Sequence, residues 1–486
     1  MNEEFTYPGD KGIYHGGAWH RPRLGRTMSV TSPGTGEILT HISEATPEDV
    51  PAVIASARAG FEHWRGVLPA ERSRILREMA RRVRAHGSEL AWLDASDCGN
   101  PIGFLSYDIE SAAAALEYFA GLVTEMKGSS MPIGPDAVCF SVREPYGVVV
   151  RIAPFNHPAL FCIAKAASPI AAGNSVVVKS PEQAPLSSLL AAEIFDGLLP
   201  PGVFNVVSGG RELGAALVTD PGVAMVGLVG SVPTGRAIMR AASDRLAPVI
   251  LELGGKNALI ALPDASPAKV ADAIVRGMNF GWAGQSCGST SRAFLHASIY
   301  DDVLSRLPEL LTHVRPGIPT DPKTVMGALI DRSALERVKR YVGYGLEDGA
   351  RLIHGGKQPE EAELQNGCFF EPTIFADVTQ DMRIAREEIF GPVLSILKWD
   401  DEAEMIRQVN SVEYGLTCSV WTRDVVKAHR MVAAVEAGYC WINDVSRHAW
   451  GAPFGGYKQS GIGREECLEE LLSYTQEKNV LINLND

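Results

Sequence analysis

Residues 146–185 read YGVVVRIAPFNHPALFCIAKAASPIAAGNSVVVKSPEQAP. Val148-Val149-Val150 and Val176-Val177-Val178 are short β-branched runs, and between them lie a turn and a helical pattern. A strand that is apolar at every position has both faces buried, so a pair of such strands joined through a helix predicts a parallel sheet covered on both sides. The texture continues outward. Val203–Val207 and Met225-Val226 read as further strands, and Pro185–Leu198 and Thr234–Ala242 as helices. A later block offers Val393–Trp399, Leu416–Trp421 and Tyr439–Asn443 as strands, and Gly254-Gly255 marks the boundary between the two α/β blocks. Upstream, the first third reads mainly helical. Thr46-Pro47-Glu48 supplies a cap, a proline and an acid for a helix carrying Val50, Val53, Ala57, Phe61 and Trp64. A second helix from Pro69 repeats Ile75, Leu76, Met79 and Val83.

Composition narrows the function. The 486 residues predict about three domains, or two large ones, at roughly 150 residues each. With 46% hydrophobic and 21% charged residues the chain is neither disordered nor fibrous. A net charge of −13 repels phosphates and anionic lipid, so no nucleic acid and no membrane is expected as a partner. The acidic start MNEEFTYPGDK has no apolar leader segment. Eight scattered cysteines without a CxxC pair argue against a metal site or a disulfide framework and predict a cytoplasmic protein.

Four stretches carry chemistry. Gly284-Gln285-Ser286-Cys287-Gly288 sets a thiol among small residues, where a backbone N–H can face a reacting atom; alone, a buried apolar cysteine fits as well. Leu251-Glu252-Leu253-Gly254-Gly255 places a carboxylate in apolar surroundings that raise its pKa towards that of a general base, against the plain reading of a solvated strand end. In Pro154-Phe155-Asn156-His157-Pro158 the Asn156 amide could donate to an oxyanion or simply brace its own turn. Lys179-Ser180-Pro181-Glu182 offers a ribose clamp, and Gly230-Ser231-Val232-Pro233-Thr234-Gly235 opens a helix towards a pyrophosphate, though glycines at that spacing are also ordinary turn formers.

These motifs, with Glu388-Ile389-Phe390-Gly391-Pro392 and Pro453–Gly461 after them, stand in one order and spacing. The chain resembles the aldehyde dehydrogenase superfamily from about Trp19 to Asn483. The resemblance implies an α/β fold with a Rossmann-like cofactor domain (1–120 and 143–252), an α/β catalytic domain (253–458) and a small β oligomerisation extension (121–142 and 468–486). It implies Cys287 as nucleophile, Glu252 as general base, and Asn156 with the Cys287 N–H as oxyanion hole. Phe155, Lys179, Ser180, Glu182, Gly230, Ser231, Glu388 and Phe390 would hold the cofactor, NAD in preference to NADP because Glu182 repels a 2′-phosphate. A catalytically silent binding or structural relative is the alternative, which the intact Cys287, Glu252 and Asn156 oppose. The chain departs from the usual pattern at Val226–Val229, at Pro233 and at Trp282. Phe161, Trp282, Trp450 and Phe454 would line the substrate mouth, with Ala164 leaving room. That lining predicts an uncharged or aromatic aldehyde, with Arg447 as a counter-signal for a carboxylate. The apolar Val480-Leu481-Ile482 run, after a helical Glu465–Leu471, predicts a tail strand that joins a homodimer or homotetramer.

Overall fold

The valines of the opening stretch divide their side chains between two cores. In the computed structural model, which describes residues 5–485, Val149, Val176 and Val178 enter one apolar cluster, while Val148, Val150 and Val177 enter another on the opposite face. Met1–Glu4, the first part of the acidic start, lie outside the described residues. Val148–Ile152 and Ser175–Lys179 pair in parallel, joined through the helix Pro158–Ala172. That helix ends on Gly173, whose φ of 96° admits a left-handed cap and whose missing side chain leaves room for the Arg72 guanidinium.

Five parallel strands form the middle of this sheet in the order Phe204–Val207, Ser175–Lys179, Val148–Ile152, Val223–Val229, Val249–Glu252. The chain reverses direction across the sheet at Val148–Ile152, and ligands collect beyond the carboxyl ends of strands at such a switch point. Ile13–His15 caps one edge and Gly461–Ile462 the other, both antiparallel. A second sheet runs Arg351–His354, Thr373–Ala376, Val393–Trp399, Arg292–His296, Ala258–Ala261, Thr417–Trp421, Tyr439–Ile442, parallel except for its first strand. It surrounds itself with its own apolar core. The fold is therefore α/β with two sheets. Ser130–Met131, Ala137–Pro145 and Thr475–Asn483 make a third, small antiparallel sheet.

Several expectations change. The first 43 residues hold four short strands before the helices Val50–Trp64, Pro69–Ala85, Gly87–Asp97 and Ile102–Leu122 begin. The helix that leads to the Cys287 loop is Pro267–Gly277; Asn279 and Ala283, with φ of 55° and 50°, turn the chain out of it. The predicted helix 465–471 is Leu468–Ser473. Glu465 is instead extended and bridges Phe454, because its carboxylate must reach Arg151 and Lys165. The tail strand pairs along its length with Ala137–Pro145 of its own chain, so one of its edges is satisfied without a partner subunit.

The departure at Val226–Val229 also has a structural reason. Gly227 sits directly opposite Arg151 on the neighbouring strand, and a side chain there would overlap the Arg151 guanidinium. That guanidinium is buried, donating to the Tyr474 hydroxyl at 2.7 Å and to the Glu465 carboxylate at 2.9 Å.

Candidate active site

Glu252 is the last residue of its strand, pairing with Val229 on one side and Gly461 on the other. It is 4% exposed, and its Oε1 finds no hydrogen-bond partner among the described residues. Burial, reinforced by the negative charge of Glu465, pushes its carboxyl up to about 8. Immediately after it, Gly254 has no room for a side chain because the Glu388 carboxylate lies there, and Gly255 N donates to Glu388 Oε1 at 2.9 Å. Burial pushes Glu388 up to about 7.

Cys287 rides on a loop fixed from three directions. Asn257 Nδ2 donates to the carbonyls of Cys287 at 2.6 Å and Ser289 at 3.0 Å, while its Oδ1 accepts from Thr417 N. Gln285 is held at both ends of its amide, by Ala328 O and Ile330 N. Asn156 Nδ2 donates to Gln285 O at 2.9 Å. One amide N–H of Asn156 is thereby spent on locking the loop, which leaves the second for an oxyanion. Burial and the adjacent Glu252 charge push the Cys287 thiol well above its ordinary range. A proton acceptor of ordinary carboxylate pKa would be a poor match for such a thiol; raising Glu252 narrows the gap.

Cys287 and Glu252 line one cavity of about 310 Å³. Its walls include Phe161, Trp282, Trp450 and Phe454, with Ala164 among them as the sequence predicts. Arg447 does not line it; the side chain is exposed and turned towards Asp444. Lys165 and Glu465 also reach this cavity, 2.8 Å apart. Burial opposes the charge of Glu465, but Lys165 and Arg151 outweigh it and keep the carboxyl below its ordinary value.

A second cleft of about 520 Å³ opens at the switch point, lined by Ile152, Phe155, Lys179, Glu182, Thr234 and Ile238 among others. Lys179 makes no hydrogen bond within the described protein and lies in one wall with Glu182; burial lowers its pKa and Glu182 partly restores it. A donor and an acceptor left free at a strand end fit the hydroxyls of a ribose. Ser231 caps the helix Val232–Ser243, accepting from Thr234 N, and that helix turns its positive end and Thr234 to the cleft. Gly230 N donates to Glu252 O, which ties this turn to the Glu252 strand end. Ser180 does not join them: its hydroxyl is buried against Ser208 at 2.7 Å. Phe155 stands edge-on to Phe390 at 5.8 Å, which links this cleft to the Glu388 segment.

Sequence reasoning missed the anchors. Asn257 lies just beyond the Glu252 motif and carries no local signal, and the pairs Arg151–Glu465, Lys165–Glu465 and Asp108–His157 join positions far apart in the chain. No local pattern marks such pairs.

A family model described as the aldehyde dehydrogenase family matches residues 19–480. The chain is 48% identical over 480 residues to the aldehyde dehydrogenase tropH of Talaromyces stipitatus, covering 97% of this chain and 93% of that one. It is 42% identical over 462 residues to a betaine aldehyde dehydrogenase of Cereibacter sphaeroides, covering 95% and 94%. Among solved structures, the NAD+ complex of an aldehyde dehydrogenase from Bacillus cereus superposes with a TM-score of 0.95 at 37% identity, over 98% of this chain and 97% of that one. The match extends through both sheets and every segment of the site, and the chain belongs to the aldehyde dehydrogenase family.

Proposed function

We propose that this protein oxidises an aldehyde to its carboxylic acid through a covalent intermediate on Cys287, with NAD as cofactor. That it is an NAD(P)-dependent aldehyde dehydrogenase follows from its family; the route and the residues are our reading. The observation that carries it is Cys287 and the buried Glu252, its carboxyl pushed up by desolvation, lining one cavity.

Cys287 loses its proton towards Glu252 and its sulfur attacks the aldehyde carbon. The oxygen that gains charge is held by the free Asn156 N–H and the Cys287 backbone N–H. Lys179 and Glu182 would hold a ribose, the Ser231 turn the pyrophosphate, and Glu388 with Phe390 the nicotinamide half. NAD held there would supply the hydride acceptor that oxidation of the Cys287-bound aldehyde carbon requires. Glu252, having passed the Cys287 proton to solvent, takes a proton from water, whose oxygen attacks the thioester carbon; the acid leaves and that proton returns to the departing thiolate. A base beside the thioester directs it to water rather than to coenzyme A. Glu182 in the ribose wall favours NAD over NADP, and the aromatic walls favour an uncharged or aromatic aldehyde.

The first sheet with its N-terminal helices forms the cofactor domain in this reading, and the second sheet forms the catalytic domain. The three-stranded sheet is the assembly element of a homodimer or homotetramer. Its tail strand lies at the sheet edge and exposes Leu481 and Ile482, as Ala137–Pro145 exposes Val138 and Val142. Mixing the protein with NAD and a panel of aldehydes should produce NADH, and Cys287→Ala should produce none while still binding NAD. Ordinary turnover by Cys287→Ala would overturn the assignment.

A further inference from the structure

The substrate cavity is walled by aromatic rings, yet one polar group in its wall has no structural employment for half of its ring. His157 precedes the helix Pro158–Ala172 and makes no capping bond to it. Its Nδ1 lies 2.7 Å from Oδ2 of Asp108, on the helix Ile102–Leu122, and both residues line the cavity. Its ring sits between Phe161, edge-on at 5.6 Å, and Trp282 at 5.4 Å. The Nε2 atom meets no partner among the described residues. Trp282 Nε1 also lacks an acceptor among the described residues.

A carboxylate on Nδ1 fixes the neutral imidazole as the Nδ1–H tautomer, which leaves a lone pair on Nε2. The wall therefore presents a hydrogen-bond acceptor, oriented by Asp108, on the stretch where Phe161 and Trp282 flank the ring. A volume of about 310 Å³ is at the small end for ligand cavities and admits a single-ring aldehyde. The other histidine of the cavity, His448, pairs with Glu466 at 3.0 Å but is far more exposed, at the outer rim.

We propose that His157, positioned by Asp108, is a specificity residue that accepts a hydrogen bond from a hydroxyl on an aromatic aldehyde, so that the preferred substrates are hydroxybenzaldehydes rather than unsubstituted ones. The inference rests on the aldehyde-oxidising reading of the same cavity. A cavity built to pair with a substrate hydroxyl discriminates against the analogue that lacks it, because its own polar group is then left unpaired. The same aromatic walls could attract a quaternary ammonium through their π faces. Such a cation has no proton to give Nε2, and Asp108 is already engaged by His157.

The test compares kcat/KM for 2-, 3- and 4-hydroxybenzaldehyde, benzaldehyde, hexanal and betaine aldehyde with NAD, in the parent and in His157→Phe and His157→Gln. At least one hydroxybenzaldehyde isomer should exceed benzaldehyde in the parent. His157→Phe should lower that ratio by about 10–100-fold, and His157→Gln, which keeps a polar end, should recover part of it. Asp108→Asn should lower the ratio in the same direction. A merely structural His157 would reduce all substrates together and leave the ratio unchanged, which overturns the proposal. A parent preference for hexanal or betaine aldehyde overturns it too, with aldehyde oxidation left standing; no NADH from any aldehyde removes both. Should the variants not fold, inhibition of the parent decides: 4-, 3- or 2-hydroxyacetophenone should inhibit more tightly than acetophenone, and equal inhibition by all four counts against the hydroxyl contact.

Discussion

At the scale of single residues, the proposed chemistry depends on Glu252 being both buried and, at Oε1, unpaired. Its raised carboxyl is protonated below about 8, so the base form grows as pH rises through that value. Hydrolysis of the thioester should therefore slow as pH falls below about 8, which a rapid-mixing measurement of the deacylation step would show. The linked effect on folding has the opposite sense. A carboxyl whose folded pKa lies above its ordinary 4.5 favours the folded state below 4.5 and progressively loses that benefit as pH rises through about 8. Glu252→Gln cannot ionise, so its melting temperature should gain on the parent above the titration and not in acid. Asn156→Ala should cost about 2.7–4 kcal/mol of transition-state stabilisation, read from kcat/KM, since it removes an oxyanion donor. It should lose more than that if the Gln285 carbonyl, left without its donor, lets the nucleophile loop shift.

Elements show what a sequence makes legible. The strands around Val148 and Val176 were readable because burial on both faces demands apolar residues without interruption. The four strands before residue 43 were not, since three of them have mostly exposed or half-buried positions and carry no such run. The motifs of Cys287, Glu252 and Lys179 were legible because each is local. Ser180 shows the limit of such a motif: nearness in sequence to Lys179 and Glu182 says nothing about which way a strand-end hydroxyl turns, and this one turns inward to Ser208. Glu465 shows tertiary demand overriding local propensity, as two buried cations pull it out of a helical pattern. Gly227 belongs to the same network. Gly227→Ala should cost about 1–3 kcal/mol by overpacking, visible as a lower melting temperature, because Arg151 is held on two sides and cannot yield. An unchanged melting temperature would mean that the strand can shift to admit the methyl group.

At the scale of the whole molecule, the tail is tied into the body more firmly than an apolar terminus suggests. Tyr474 is fully buried against Arg151, and Glu470 accepts from Ser168 at 2.6 Å, so cutting the chain at 473 would damage the core as well as the edge. The assembly is better tested on the exposed face. Leu481→Glu with Ile482→Glu should shift the sedimentation profile towards monomer while leaving the melting of the cofactor sheet in place. An unchanged oligomer would show that subunits meet elsewhere.

The proposed reaction runs through a thioester that forms on Cys287 and waits for Glu252. Glu252→Gln mixed with NAD and an oxidisable aldehyde, quenched in acid and examined by mass spectrometry, tests this directly. The account predicts one acyl group per subunit on Cys287, formed together with one equivalent of NADH and then persisting. Continued turnover at the parental rate with an unmodified Cys287 would contradict it.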